Sequence, residues 1–387
     1  MEKIDKAVQE SLIQKNVGIK IRELRKAGKM KAIDLASKAG ISQGQLSKIE
    51  NGKATVSIKN LARLCRILGR PLNYLFQTED KSTAVHHKII AVTGLENQGL
   101  HWFAQEVGSN TNGAVALNSL GTLQFGPAVD HIDLIFEGSV DLFIENLVQF
   151  YRIAPALKQL SLPYCFRDEQ HRQAFLASPY FRENVTEALL QKGIRLLNPN
   201  WNWIRGLEWV LVSRRPICTP EDVKGLKVRI YDCEHLRCLW SEMGAIPVVV
   251  PWSKVRKAIA SGQVDVVPTK KALIYHNGFC GHAKYVTILG DIPEIMGVFI
   301  TETKYSSFSS EVQHALEKAC DSAGNIFSLN LYHIEKKNER LNMSRYKAAY
   351  LKVDLSPWRL AVSRIRKKMT DQGILPEQTL KEIEKAC

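Results

Sequence analysis

Along the first eighty residues apolar side chains recur at helical spacing, and from about residue 88 onward short β-rich runs alternate with longer helical ones. After a polar leader, Val17 to Ala27 places Ile19, Ile21, Leu24 and Ala27 near one helical face. A second stretch, Lys31 to Ala39, carries Ile33, Leu35 and Ala36 as its apolar stripe and stops at Gly40, which tolerates positive φ. Gly40-Ile41 predicts a tight turn, and Ser42 then supplies an N-cap. Gln43 to Glu50 reads as a short helix that buries Leu46 and Ile49, exposes Gln43, Gln45, Ser47 and Lys48, and ends at Asn51-Gly52. Two further helices, Ser57–Leu68 and Pro71–Phe76, would cover the apolar backs of the first three.

The later region predicts strands at Lys88–Val92, Ala114–Ser119, Ile194–Asn198, Val210–Ser213, Leu226–Tyr231, Ile246–Val250, Val264–Val267, Tyr285–Leu289 and Gly297–Thr301. Helices fall at Gln98–Thr111, His171–Lys192, His235–Met243, Trp252–Ser261 and Glu311–Arg340. Strands alternating with helices indicate an α/β fold with mostly parallel sheets, and this many strands exceeds one ordinary sheet. Two α/β lobes with a cleft between them are expected. Gln77 to His87, polar and short of large apolar residues, reads as the linker.

Charge sharpens the division. Of a formal net charge of +14, residues 1–82 carry +9, from 17 Lys and Arg against eight Asp and Glu. A basic surplus of that density fits a polyanion partner, since neutralising phosphates releases condensed counterions; a solvated basic surface is the bland alternative. A helix, a glycine-containing turn of about three residues and a second helix form the geometry that lays the second helix in a major groove. Its exposed Gln, Gln, Ser and Lys can read bases or phosphates. At 387 residues and 45% hydrophobic composition the chain has material for two or three folded units. No apolar run reaches eighteen residues, the N-terminus is charged where a signal peptide would be apolar, and eight cysteines are scattered through the chain. These features together predict no membrane association, reduced thiols and a cytoplasmic location.

Ile33-Asp34-Leu35-Ala36, Gly40-Ile41-Ser42, Leu46-Ser47-Lys48-Ile49-Glu50-Asn51-Gly52 and Leu61-Ala62-Arg63-Leu64 closely resemble the Cro/C1-type (XRE family) helix-turn-helix domain. The resemblance covers about residues 13–77 and implies that Gln43, Gln45, Ser47 and Lys48 contact operator DNA. Farther on stand Pro220-Glu221-Asp222-Val223-Lys224-Gly225-Leu226-Lys227-Val228-Arg229-Ile230, Met243-Gly244-Ala245-Ile246-Pro247, Pro251-Trp252-Ser253-Lys254-Val255 and Ser261-Gly262-Gln263-Val264-Asp265. In that order they resemble the DctP-type substrate-binding proteins of tripartite ATP-independent periplasmic (TRAP) transporters. Gly138-Ser139-Val140-Asp141-Leu142 and Leu162-Pro163-Tyr164-Cys165-Phe166 support the match upstream.

The second resemblance implies that Arg229 grips the carboxylate of an organic acid, a role suited to a guanidinium fork that makes two parallel hydrogen bonds. A salt bridge to a nearby acid such as Asp232 is the plain alternative for this arginine. The resemblance also gives Asp232 a polar ligand-contacting position, Trp252 an aromatic wall and Thr269 a position often held by an amide. Glu145 or Asn146 falls where a polar group of the other lobe approaches the ligand. Many relatives have a second carboxylate-directed arginine where this chain has Gly206-Leu207-Glu208-Trp209, leaving Arg205 as the nearest substitute. Asp232 and Glu208 would repel a second anionic group, so one carboxylate with an amine, hydroxyl or aromatic body is expected. Trp201, Trp203, Trp209 and Trp252 can wall such a ligand, with at least two of the four expected to be ordinary core residues.

Cys233-x-His235-x-x-Cys238 and Cys280-x-His282 lack a closed four-ligand spacing, so no metal is expected. No catalytic constellation or cofactor fingerprint stands out, and no enzyme or cofactor is expected. The expected fold is an all-α five-helix helix-turn-helix domain (residues 1–82) followed by an α/β two-lobed, type II periplasmic-binding-protein-like domain of TRAP-receptor kind (residues 83–387). Its expected partners are double-stranded operator DNA, a small carboxylate and a second copy in a homodimer. Two rivals stand beside this reading: a binding-protein-like domain kept only as an oligomerisation module, and a transport receptor.

Overall fold

The computed structural model describes residues 2–54, 56–70, 74–75, 87–93, 97–121, 131–136, 138, 140–206, 208–290 and 294–386. Four helices open the chain: α1 (Glu2–Ala27), α2 (Ala32–Ala39), α3 (Gln43–Glu50) and α4 (Ile58–Ile67). The first starts at Glu2 rather than Val17, because nothing between the two breaks a helix. Within α1 the buried positions are Val17, Gly18 and Ile21, with Leu24 half-buried, whereas Ile19 and Ala27 face outward. Ile33, expected in the stripe of α2, is 57% exposed, and Leu35, Ala36 and Ala39 form the buried face instead. The expected linker lies outside the described residues up to His87, as does the expected fifth helix apart from Tyr74 and Leu75.

Among the described residues twelve strands build two six-stranded sheets. The first contains β1 (His87–Thr93), β2 (Val115–Gly121), β3 (Leu142–Asn146), β4 (Ile194–Leu196), β5 (Ile204–Arg205) and β11 (Glu294–Thr301), in the order β2-β1-β3-β11-β4 with β5 also on β11. The second contains β6 (Trp209–Ser213), β7 (Lys227–Ile230), β8 (Ile246–Val249), β9 (Val266–Lys270), β10 (Tyr285–Gly290) and β12 (Ala349–Lys352), in the order β12-β10-β6-β9-β7-β8. In the second sheet β6 runs antiparallel to both β9 and β10, while β7 is parallel to β8 and β9 and β10 is parallel to β12. The short strands β3, β5 and β12 lie outside the sequence expectation. The expected helix His171–Lys192 is broken at Ser178-Pro179, where Ser178 caps a new turn.

By internal packing the chain divides into Met1–Ile144 with Val298–Cys320, and Glu145–Gly297 with Asp321–Cys387. In the second unit both faces of the sheet are covered, as parallel pairs require. Leu211, Val228, Ile230 and Val266 face a core that includes Trp240 and Trp358. Val210, Val212, Val267 and Val286 face another with Val255, Ile259 and Phe279. The strand period of two therefore assigns every inward side chain to one face or the other. Arg229, between Val228 and Ile230, belongs to the face of Val210 and Val267, and so does Thr269, two residues after Val267.

Candidate DNA-reading and ligand-binding sites

The turn between α2 and α3 follows from two residues. Gly40 adopts φ 66°, and its N–H caps α2 on the carbonyls of Ala36 and Ser37. Ser42 Oγ accepts the N–H of Gln45 at 3.1 Å and starts α3. With Leu46 and Ile49 buried beneath, Gln43, Gln45, Ser47 and Lys48 are all exposed on one short helix. The helix is held from behind. Arg25 of α1 donates from Nε and one Nη to the two Glu50 oxygens at 2.6 and 2.8 Å, and from its other Nη to the Met30 carbonyl at 3.1 Å. The hydrogen bond to Glu50 raises the Arg25 pKa, outweighing the cost of burial. A Cβ at Gly18 would stand 2.3 Å from the Ile49 carbonyl oxygen, so only glycine lets α1 approach the end of α3 this closely.

The second site is built on β7 and the chain after β8. Arg229 is 3% exposed, its Nε donates to the Val250 carbonyl at 2.9 Å, and its Nη2 is buried without a hydrogen-bond partner among the described residues. Its Cζ lies 3.8 Å from the Tyr231 ring centroid and 5.2 Å from that of Trp252. Trp252 in turn meets Phe279 edge-on at 5.6 Å. Two aromatic faces thus fix the guanidinium plane and leave an orphaned donor. Thr269 Oγ1, on the same face of the sheet, is likewise buried without a partner. Tyr231 was missed in the sequence reading, although it follows Arg229 by two residues and the strand period puts both on one face.

The other expected residues are placed differently. Asp232 is 77% exposed and pairs with Arg237 at 3.2 Å, which removes it as a salt-bridge partner for Arg229. Trp209 shares the face of Leu211, opposite that of Arg229, and packs on Trp240 at 6.0 Å. Trp203 is fully buried against Phe327, and Trp201 meets Phe181 edge-on. Glu208 is paired with Lys271 at 3.0 Å, which also binds Glu339 at 2.8 Å.

Arg205, the substitute second arginine, is already engaged. Its Nε donates to Glu294 Oε2 at 2.6 Å and its Nη2 lies 3.3 Å from Glu145 Oε1. Burial works against its charge, but Glu294 and Glu145 more than offset this and raise its pKa. Asn146 Nδ2 donates to Glu294 Oε1, and Asn146 Oδ1 caps the next turn at the Val148 N–H. Glu294 is the second residue missed by the sequence reading, being 89 positions from its partner. Of the cysteine–histidine sets, Cys233 and His235 are buried, with the thiol pushed up to about 11 and the imidazole down to about 4, in both cases chiefly by burial. Among the described residues no group of three or more His, Cys, Asp or Glu is placed to hold a metal ion, and no disulfide links the seven described cysteines.

An exposed helix after a glycine turn and a buried arginine with an unsatisfied nitrogen describe a helix-turn-helix head joined to an α/β module. Residues 21–75 match a helix-turn-helix family, and residues 88–372 match bacterial extracellular solute-binding protein, family 7. The chain belongs to this solute-binding family and carries a helix-turn-helix segment ahead of it. The 2,3-diketo-L-gulonate-binding periplasmic protein YiaO of Escherichia coli is 25% identical over 215 residues, covering 56% of this chain and 64% of YiaO, so the match spans just under two thirds of that relative. Among solved structures, a TRAP periplasmic solute-binding protein from Sulfitobacter with bound β-D-galacturonate aligns with a TM-score of 0.68 at 18% identity, over 76% of this chain and 98% of that one. A protein of the same kind from Chromohalobacter salexigens with bound D-glucuronate gives 0.70 at 19%, over 77% and 100%. At such identities the likeness establishes the fold. No helix among the described residues is long and apolar enough to cross a membrane.

Proposed function

We propose that the chain is a ligand-responsive transcriptional regulator in which residues 1–82 read operator DNA and residues 83–387 sense a small organic carboxylate. The observation that carries the reading is Arg229, a buried guanidinium clasped by Tyr231 and Trp252 with one nitrogen unsatisfied, in a chain that also presents Gln43, Gln45, Ser47 and Lys48 on an exposed helix. A carboxylate would satisfy the orphaned donor by a charge-assisted hydrogen bond. Thr269, also unsatisfied, would serve the same ligand, with Trp252 as its wall. Galacturonate and glucuronate, held by structural relatives, each combine one carboxylate with several hydroxyls, and we take that class as the ligand. Operator DNA places the protein in the cytoplasm. A single small head covers too little DNA for tight specific binding, so the regulator acts as a dimer on paired half-sites, and it performs no catalysis. The ligand changes DNA affinity by favouring the conformer that it binds better.

Calorimetry of the full chain with D-glucuronate, D-galacturonate and other sugar acids tests the reading. Arg229→Ala should cost about 2–5 kcal/mol of binding, well over tenfold in affinity, and Arg229→Lys should recover little, because an ammonium lacks the fork. Equal binding by all three proteins, or no binding by the wild type, would overturn the sensor and favour the oligomerisation module.

A further inference from the structure

Of the two acids expected to repel a second anion, Asp232 is exposed on Arg237, and Glu208 shares Lys271 with Glu339. A second pair of carboxylates also shares one cation. The β5–β11 register sets Glu294 directly opposite Arg205, and Glu145, near the end of β3, reaches the same guanidinium at 3.3 Å. Two carboxylates therefore share one arginine, and Asn146, bonded to Glu294, adds no charge. This clamp occupies the Nε and Nη2 donors of the cation with its own glutamates. It carries a surplus of one negative charge. The backbone links it to the anchor's sheet: a Cβ at Gly206, next to Arg205, would stand 2.4 Å from Lys270 Cβ, and Lys270 follows the unsatisfied Thr269 that shares a face with Arg229. The unsatisfied Nη2 of Arg229 independently marks the place as one built for a ligand.

We infer that the Glu294–Arg205–Glu145 clamp is the specificity filter of the Arg229 site, admitting a hydroxylated monocarboxylate and rejecting a dicarboxylate. The inference rests on Arg229 as the carboxylate anchor. A second carboxylate would meet two like charges, both partly buried, and an arginine already bonded to both. A hydroxyl in that place can donate to either glutamate without any charge penalty. Glu294 is the stronger determinant, since it holds Arg205 by the shorter contact and is oriented by Asn146.

The test compares D-glucuronate with D-glucarate, which carries a second carboxylate at C1 and so lacks the hemiacetal ring, and includes D-gluconate as the open-chain monocarboxylate that separates charge from ring form. In calorimetry on the full chain the wild type should prefer glucuronate at least tenfold. Glu294→Gln, which keeps the shape and removes one charge, should cut that preference at least fivefold by tightening glucarate. Glu145→Gln should act in the same direction but less, and it carries the test should Glu294→Gln fail to fold. Arg229→Ala should lose both acids. A glucuronate-to-glucarate ratio unchanged in both glutamate variants, with binding still dependent on Arg229, overturns the filter alone. Absence of Arg229-dependent binding of either acid overturns the anchor and the filter together.

Discussion

In the helix-turn-helix head, the side chains proposed to meet DNA and those that hold the fold are different residues. Gln43, Gln45, Ser47 and Lys48 stand exposed, while Leu46, Ile49 and the Arg25–Glu50 pair lie beneath them. The binding module does the opposite, since Arg229, the proposed carboxylate anchor, is also a buried part of the sheet. A buried donor that gains a partner contributes roughly 1–3 kcal/mol, so a ligand bound at Arg229 would also stabilise the module. Function and stability are separable in the head and coupled in the module.

The largest expected effect breaks the head while sparing the module. Arg25→Ala leaves Glu50 as a buried charge, 6% exposed, and should destabilise the head by about 3–5 kcal/mol. DNA binding should disappear in a mobility-shift assay while the calorimetric signal for a sugar acid persists. The double variant Arg25→Ala with Glu50→Ala should recover part of the loss, because no unpaired charge remains. Loss of both activities together would mean that the two regions do not fail independently.

The same contrast explains what could be read from the sequence. The elements of the head are local: Gly40, Ser42 and the Leu46/Ile49 spacing are close neighbours, and the observed α3 has the bounds that they predict. The fold class of the module was legible for the same reason, through strand and helix periods and ordered motifs. Its site was legible only in part. Arg229 and Trp252 sit in local motifs, but the filter depends on Arg205, Glu145 and Glu294, which only sheet register brings together. Charge alone could not show that Asp232 pairs with Arg237 or that Glu208 shares Lys271 with Glu339, contacts that the fold sets. The stripe of α2 was misjudged at Ile33 because three apolar residues in a row of four do not fix the angle of a helix face.

A pH effect of intermediate size belongs to the module. Burial, helped by nearby Lys158, lowers the His235 pKa from its usual 6.5 to about 4. The unfolded chain then binds more protons between these values, so stability is present above about pH 6.5 and is lost as pH falls toward 4. The contribution is about 3 kcal/mol. Denaturant melts from pH 7 to 4 should show this slope in the wild type and a flatter one in His235→Phe, which preserves an aromatic ring against Tyr151. An identical slope would show that His235 does not titrate across folding.

The smallest effect on stability, and the sharpest test of separability, comes from the exposed face of α3. Gln43→Ala and Gln45→Ala should leave the melting temperature within a degree or so, because surface substitutions away from caps and pairs usually change stability by less than about 0.5 kcal/mol. Each should nevertheless cost about 1–3 kcal/mol of discrimination between operator and random duplex if the amide contacts a base edge. Lys48→Ala should weaken binding to both DNAs alike and reduce the salt slope by about one, the signature of a phosphate contact. All three variants and the wild type can be compared by fluorescence anisotropy over a series of salt concentrations. Should the glutamine variants keep the wild-type ratio of specific to non-specific affinity at every salt concentration, α3 would be a phosphate-contacting helix, and sequence reading would have to come from another face of the head.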